Sequence, residues 1–176
     1  NETGISIMKI VPKLDAGPYM MQEKVKIEKE DNYSSLSNKL SILGSELILK
    51  SLKLIEEKNY KFIEQDENKI KYAKKIDKKE SKINWDMPSR NIIAKINGLS
   101  PYPGVWFNHK NSRFKIIKAV EVDKKGDTGK ILDNNLTIAC KEKAIKILFI
   151  QKEGKKILSS KEFLTGYKIK KGDQLT

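Results

Sequence analysis

The sequence predicts an α/β segment of two strands and one long helix, followed by a small OB-like β-barrel domain. Three observations predict it. Two apolar runs, residues 5–11 and 19–27, flank a turn rich in Pro and Gly. A leucine stripe at helical spacing follows them. The second half then breaks into short β-rich runs separated by Gly, Asn and Asp. Two strands and a helix cannot cover both faces of a sheet, so residues 1–59 read as the tail of a larger α/β domain. Residues 60–82 read as a basic linker and residues 83–176 as the barrel.

Each element has a local reason. Pro12 and Pro18 fix φ at the opening turn, and Gly17 is the residue there expected to accept a positive φ. A helix is predicted over 34–58, with Leu36, Leu40, Leu43 and Leu47 on one face. Ile48, Leu52 and Ile55 widen that face, and Asp31, Asn32 and Ser34 are available as N-caps. Gly44 inside the helix suggests close packing on a sheet. The stretch 60–82 is polar and aperiodic, with Lys69, Lys71, Lys74, Lys75, Lys78, Lys79 and Lys82 around Tyr72 and Ile76. A short helix follows, expected to be capped by Asp86 and ended by Gly98, with Ile92, Ile93 and Ile96 on its buried face. Strands are predicted at 105–108, 114–122, 129–132, 136–140 and 144–151, then a helix at 159–165 and a basic tail.

Charge divides the chain. Of 176 residues, 36 are Lys or Arg and 23 Asp or Glu, a net charge of +13. The first sixty residues hold nine lysines and nine acids, so the whole excess lies behind them. A cationic rear points to a polyanionic partner, most simply nucleic acid. A/T-rich coding would also raise the lysine content, but would raise it in the first sixty residues as well. No apolar run approaches the ~20 residues of a membrane helix. The single cysteine, Cys140, excludes an internal disulfide framework and fits a reducing, cytoplasmic setting. It lies in an apolar run and reads as a small core residue rather than a reactive thiol. One His and one Cys do not compose a usual zinc site, so no metal is expected.

Asp15 is the candidate catalytic residue. A lone acid on a loop held between strands is a common position for proton transfer, and equally a common decoration of a hairpin. Tyr102, Trp106, Phe107 and Phe114 have the same two readings, as stacking platforms or as barrel core. Trp85 reads as a packing anchor.

A resemblance adds to this. The run from Ile10 through Val11, Leu14 and Asp15 to Gly17 and Pro18, preceded by Glu2-Thr-Gly-Ile-Ser-Ile-Met, resembles the Leu-Asp-x-Gly segment of folate-dependent formyltransferases, the methionyl-tRNA formyltransferase family above all. Tyr72-Ala-Lys-Lys-Ile, Lys82-Ile-Asn-Trp, Pro101-Tyr-Pro-Gly-Val-Trp, Gly129-Lys-Ile-Leu and the segment from Gly154 to Leu164 resemble the same family in order and spacing. The likeness spans essentially the whole chain.

The resemblance implies a Rossmann-like catalytic domain whose last strands and helix are residues 1–59. It implies transfer of a formyl group from 10-formyltetrahydrofolate, as co-substrate, to the amino group of methionyl initiator tRNA. Asp15 takes the place of the Asp in an Asn, His, Asp catalytic group, and Ile10, Val11, Leu14 and Asp15 take the place of a wall beside the pterin. The family's Asn and His precede this stretch, and His109 matches neither. The chain is therefore expected to be a fragment, inactive alone, monomeric, with Lys74, Lys75, Lys78, Lys79 and Lys82 on the tRNA. A non-catalytic RNA-binding module and a formyltransferase acting on an amino-sugar nucleotide are the alternatives.

Overall fold

The computed structural model of the chain describes residues 1–66, 68 and 71–176, with Lys78 described in its backbone alone. It forms two compact units, Asn1–Lys75 and Ile76–Thr176.

In the first unit β1 (Glu2–Met8) pairs antiparallel with β2 (Tyr19–Lys26), Ile5 facing Glu23 and Ile7 facing Met21, with an irregularity after Ile7. Period-2 alternation leaves Thr3, Ile5 and Ile7 half-buried and Glu2, Gly4 and Ser6 exposed. Residues beyond the long helix return to this pair, where Tyr19 and Ile63 exchange two backbone hydrogen bonds. The first piece of the expected linker thus extends the β1–β2 sheet.

Helix α1 (Tyr33–Glu56) starts at Asn32, whose side chain accepts from the Ser35 N–H while Ser35 Oγ accepts from the Asn32 N–H. Behind that cap the buried Asp31 carboxylate meets Lys39 Nζ at 2.7 Å. Leu36, Leu40, Leu43, Leu47, Ser51 and Leu54 recur at helical spacing as the partly or fully buried stripe. Ser51 Oγ lies 3.2 Å from Met21 Sδ on β2. Ile48, Leu52 and Ile55, expected to widen the stripe, are exposed instead. The two-stranded sheet leaves them uncovered.

The second unit opens with a 3-10 turn, Lys78–Ser81, capped by Asp77 and Glu80. Lys82 and Ile83 then run parallel to β3 (Val105–His109), Ile83 N–H donating to Trp106 O at 2.8 Å. Helix α2 (Ser89–Leu99) begins at Pro88, not Asp86, and continues through Gly98. It buries Ile92, Ile96 and Leu99. Its start is held by Ser89 Oγ, which donates to Glu121, itself paired with Lys143. These two partners pull the Glu121 carboxyl below its ordinary range, the Lys143 hydrogen bond most.

The sheet runs β3, β4 (Ser112–Val122), β6 (Ala144–Lys152), β5 (Thr137–Ala139), all antiparallel, and β7 (Ile157–Ser159) also pairs β6. Helix α3 (Ser160–Gly166) starts on a Ser159–Glu162 capping box and delivers Phe163 to the core. Inward positions alternate strictly along β3, so Val105, Phe107 and His109 are buried. Phe107 stacks on Phe114, and Trp85, Phe163 and Tyr167 meet these rings edge-on.

Residues 129–132, expected as a strand, contribute isolated bridges, Ile131 to Ile138 and Lys130 to Gln174. Gly129 at φ 77° bends the chain there. The C-terminus continues onto β3, where Asn108 and Thr176 exchange two backbone hydrogen bonds. Among the described residues this is an α/β fold of two sheets and three α-helices, and no closed barrel of full strands is formed.

Candidate nucleic-acid interface and the Asp15 loop

The loop between β1 and β2 is held by backbone contacts that explain its sequence. Lys9 N–H donates to Pro18 O at 2.9 Å, and Gln65 Nε2 donates to both Asp15 O at 3.0 Å and Gly17 O at 2.6 Å. Asp15, rather than Gly17, takes the left-handed conformation, with φ 53°. Asp tolerates that region because its short side chain can bond locally. Gly17 is required for a different reason. It is buried, and a Cβ there would lie 1.7 Å from Lys9 O, so only glycine lets the two backbones approach.

Asp15 is exposed, and no hydrogen bond reaches its carboxylate among the described residues. Ile10 is 93% exposed and Leu14 84%, while Val11 is half-buried. The loop therefore presents two apolar side chains and one carboxylate on an anchored backbone.

The expected lysine cluster spans the boundary along the chain between the two units. Lys74 and Lys75 lie exposed near the end of the first unit; Lys79 and Lys82 are exposed at the start of the second. The side chain of Lys78 lies outside the described residues. Lys82 is the one with a defined setting: its Nζ sits 5.8 Å above the Trp106 ring. Its carbonyl accepts from Lys95 Nζ, whose pKa is drawn down by burial.

The structure also divides the aromatics. Phe107 and Phe114 are core; Trp106 is half-buried on the outer face of β3, and Tyr102 is 76% exposed between two cis X–Pro bonds. Trp106 belongs to a row the sequence does not announce. Lys82 pairs with Trp106, Trp106 with Lys115, and Lys115 with Gln151, so four strand segments place these side chains side by side. Arg113, two residues from Lys115 on the same face, sets its guanidinium carbon 4.0 Å from the Trp106 ring centre. A cleft of about 380 Å³ opens there, lined by Ser81, Tyr102, Trp106, Arg113, Lys115 and Gln151. The only sequence signal for it is the alternation of Val105, Trp106 and Phe107, which puts the indole outward.

His109, the sole histidine, is buried under the C-terminal tail, its Nε2 3.2 Å from Asp173 Oδ2. The Asp173 carboxyl is held below its ordinary range by the Lys170 backbone N–H and then by His109. Cys140 is buried in the core, and burial pushes its thiol up to about 11. It behaves as the small core residue its surroundings suggest. Among the described residues no cluster of His, Cys, Asp or Glu can hold a metal, and no helix is long and apolar enough to cross a membrane.

Known proteins resemble this chain along its full length. The family model "Formyl transferase, C-terminal domain" matches residues 75–168. A methionyl-tRNA formyltransferase of Pelagibacter ubique is 46% identical over 176 residues, 99% of this chain and 57% of that protein. One of Brucella anthropi is 37% identical over 97% of this chain, again 57% of its own length. The chain thus spans somewhat over half the length of the curated relatives it matches. Among solved structures, HypX of Aquifex aeolicus in complex with tetrahydrofolic acid superimposes with a TM-score of 0.73 at 18% identity, over 99% of this chain and 34% of HypX. The sugar 3N-formyl transferase WlaRD gives a TM-score of 0.60 at 21% identity, over 88% of this chain and 56% of its own. At such identities the two structures speak for the fold alone. By its sequence, this chain belongs to the formyl transferase family and carries that family's C-terminal domain.

Proposed function

We propose that this chain is the C-terminal portion of an enzyme that transfers a formyl group from 10-formyltetrahydrofolate to the α-amino group of methionyl initiator tRNA. The observation that carries the reading is the 46% identity to a methionyl-tRNA formyltransferase along 99% of the chain. The charge asymmetry agrees with it, because a neutral front and a cationic rear suit a folate-handling part followed by an RNA-binding part. Such a reaction belongs to the cytoplasm, and we assign the chain there as a monomer.

The Asp15 loop suits an edge of the folate site. Ile10, Val11 and Leu14 offer apolar contact and backbone groups to a flat heterocycle, on a backbone fixed by Gln65 and Gly17. 10-Formyltetrahydrofolate would supply the formyl group. The amine that attacks it must lose a proton while negative charge develops on the formyl oxygen. Asp15, exposed and anchored, accepts a hydrogen bond from the histidine that the family places before this stretch, or from a water, and stabilises the positive charge formed as that proton leaves.

The second unit serves as the tRNA-binding domain. Its OB-like character is supported by a circuit of backbone hydrogen bonds: β3, β4, β6 and β5, then residues 130–132, then 173–176, and back to Asn108 of β3. We keep domain limits of 1–59, 60–82 and 83–176 from the sequence reading, with Lys74, Lys75, Lys78, Lys79 and Lys82 on phosphates.

Gel-shift titration of the 176-residue chain with initiator and elongator tRNA over a salt series tests this. Binding should weaken steeply with salt, and replacing Lys74, Lys75 and Lys79 by Ala should lower the log–log slope by roughly two to three, close to one per lost phosphate contact. Salt-insensitive binding, or an unchanged slope in the triple variant, would refute the phosphate assignment. The chain alone should not formylate methionyl-tRNA, and turnover near that of an intact enzyme would overturn the placement of Asn and His outside it.

A further inference from the structure

The cleft beside Trp106 carries an inference that neither the family nor the lysine cluster supplies. We infer that this cleft, walled by Ser81, Trp106, Arg113 and Lys115, binds one unpaired nucleotide of an RNA strand. The base lies on the Arg113–Trp106 tier, and the phosphate meets Lys115 and Lys82.

Four observations converge on it. The first is Ser81. Its side chain is buried, the residue 2% exposed; Ser81 borders the cleft, and its hydroxyl has no hydrogen-bond partner among the described residues. A buried hydroxyl left unpaired is uncommon in folded proteins, so this edge of the cleft carries bonding capacity that the described residues leave unused. The second is the aromatic tier. An indole half-exposed on the outer face of a sheet, with a guanidinium 4.0 Å above it, is a planar surface of the type on which unstacked bases lie.

The third is charge. Arg113 and Lys115 line the cleft and Lys82 Nζ lies 5.8 Å from the same indole, while Glu153, also in the lining and 3.8 Å from Arg113, offsets one of these cations. The fourth is fit. About 380 Å³ falls within the range of small-ligand sites, roughly 300–1,000 Å³, and is too small for a helical duplex. The cations are also held in place. The Lys115 stem runs so close over Gly104 that a Cβ there would lie 2.3 Å from Lys115 Cδ. Pairing to Trp106 and Gln151 fixes the Lys115 backbone in register. Duplex RNA hides its base faces, so only a looped-out or single-stranded nucleotide can use this tier.

The inference does not depend on formyl transfer or on the identity of the RNA. Trp106 and the deeply buried Trp85 are the two tryptophans, so emission reports the cleft and the core. Titrating the 176-residue chain with a short single-stranded oligoadenylate should quench part of the emission saturably. Trp106→Phe should abolish that change and leave the Trp85 signal and far-UV circular dichroism intact. Arg113→Gln and Lys115→Gln should each weaken binding by roughly fivefold or more, the range of base-stacking and phosphate losses. Ser81→Ala should reduce the oligonucleotide-induced rise in Tm without lowering the Tm of the free protein, an outcome that a purely structural serine would not give.

AMP should compete with the oligonucleotide, whereas inorganic phosphate at the same concentration should not. Equal affinity for duplex RNA, full competition by inorganic phosphate, or unchanged binding in Arg113→Gln would each overturn the proposal. Cleft binding of the oligonucleotide combined with failure to bind initiator tRNA would sustain it while refuting the tRNA reading above.

Discussion

Gly17→Ala tests the account of the Asp15 loop at its most exposed point. The Cβ added there would lie 1.7 Å from Lys9 O and 2.9 Å from Lys9 C, both backbone atoms that cannot swing aside. Restoring even a 3.0 Å contact requires the two backbones to part by about 1.3 Å. That movement disrupts the Lys9 to Pro18 hydrogen bond and the Gln65 bond to Gly17 O. Two such bonds at about 0.5–1.5 kcal/mol each, with some relaxation, give a local cost of about 2 kcal/mol. The global fold has other supports, so the effect should be local. Peptide-resolved amide exchange is the fitting assay, because exchange through local opening reports the stability of that element. A cost of about 2 kcal/mol corresponds to roughly thirtyfold faster exchange across β1, the loop and β2. Exchange in β6 and α2 should be unchanged. Wild-type protection of the β1–β2 pair in Gly17→Ala would refute the close approach, and with it the reason why glycine stands there.

The opposite outcome is expected at Gly44, where an added Cβ would sit 3.9 Å from Ile5 Cγ2, an ordinary contact. Gly44→Ala should stabilise α1 by about 0.5–1 kcal/mol, read as slower exchange in residues 36–52, and a loss of protection would contradict the packing described. Asp133 resists a raising effect of burial through hydrogen bonds from Lys124, Asn135 and Thr137, which bring its carboxyl down from 3.8 to about 2. A depressed folded pKa gives stability that is present above about pH 4 and lost as pH falls towards 2. Asp133→Asn should therefore flatten the fall of the urea midpoint of the second unit between pH 4 and 2, followed by Trp85 emission; an unchanged slope would count against the network. Cys140, buried and with its thiol near 11, should resist maleimide at pH 8 in the folded protein and react once the chain is unfolded.

Much of the local structure was legible because it is periodic. Leucines at 36, 40, 43 and 47 mark one helix face whatever they pack against, and α1 buries that face. The same logic failed at Ile48, Leu52 and Ile55, because hydrophobicity alone does not say how wide the covering surface is. Residues 129–132 look like a strand, yet Gly129 at positive φ and a partner arriving only at 173–176 reduce them to bridges. Capping followed local chemistry at Asn32 and Ser159 but not at Asp86, where Pro88 begins α2.

The sequence by itself determined the family, the neutral front, the cationic rear and the acid on an anchored loop, because composition and short motifs are properties of neighbours along the chain. The tertiary structure alone decided that Gly17 serves close approach while Asp15 carries the positive φ. It alone also set Lys82, Trp106, Lys115 and Gln151 in one row across four strand segments, near a buried Ser81 hydroxyl with no hydrogen-bond partner among the described residues. Alternation tells which face a residue takes; which strands become neighbours depends on pairing between distant segments, and that is settled only when the sheet and its core form together.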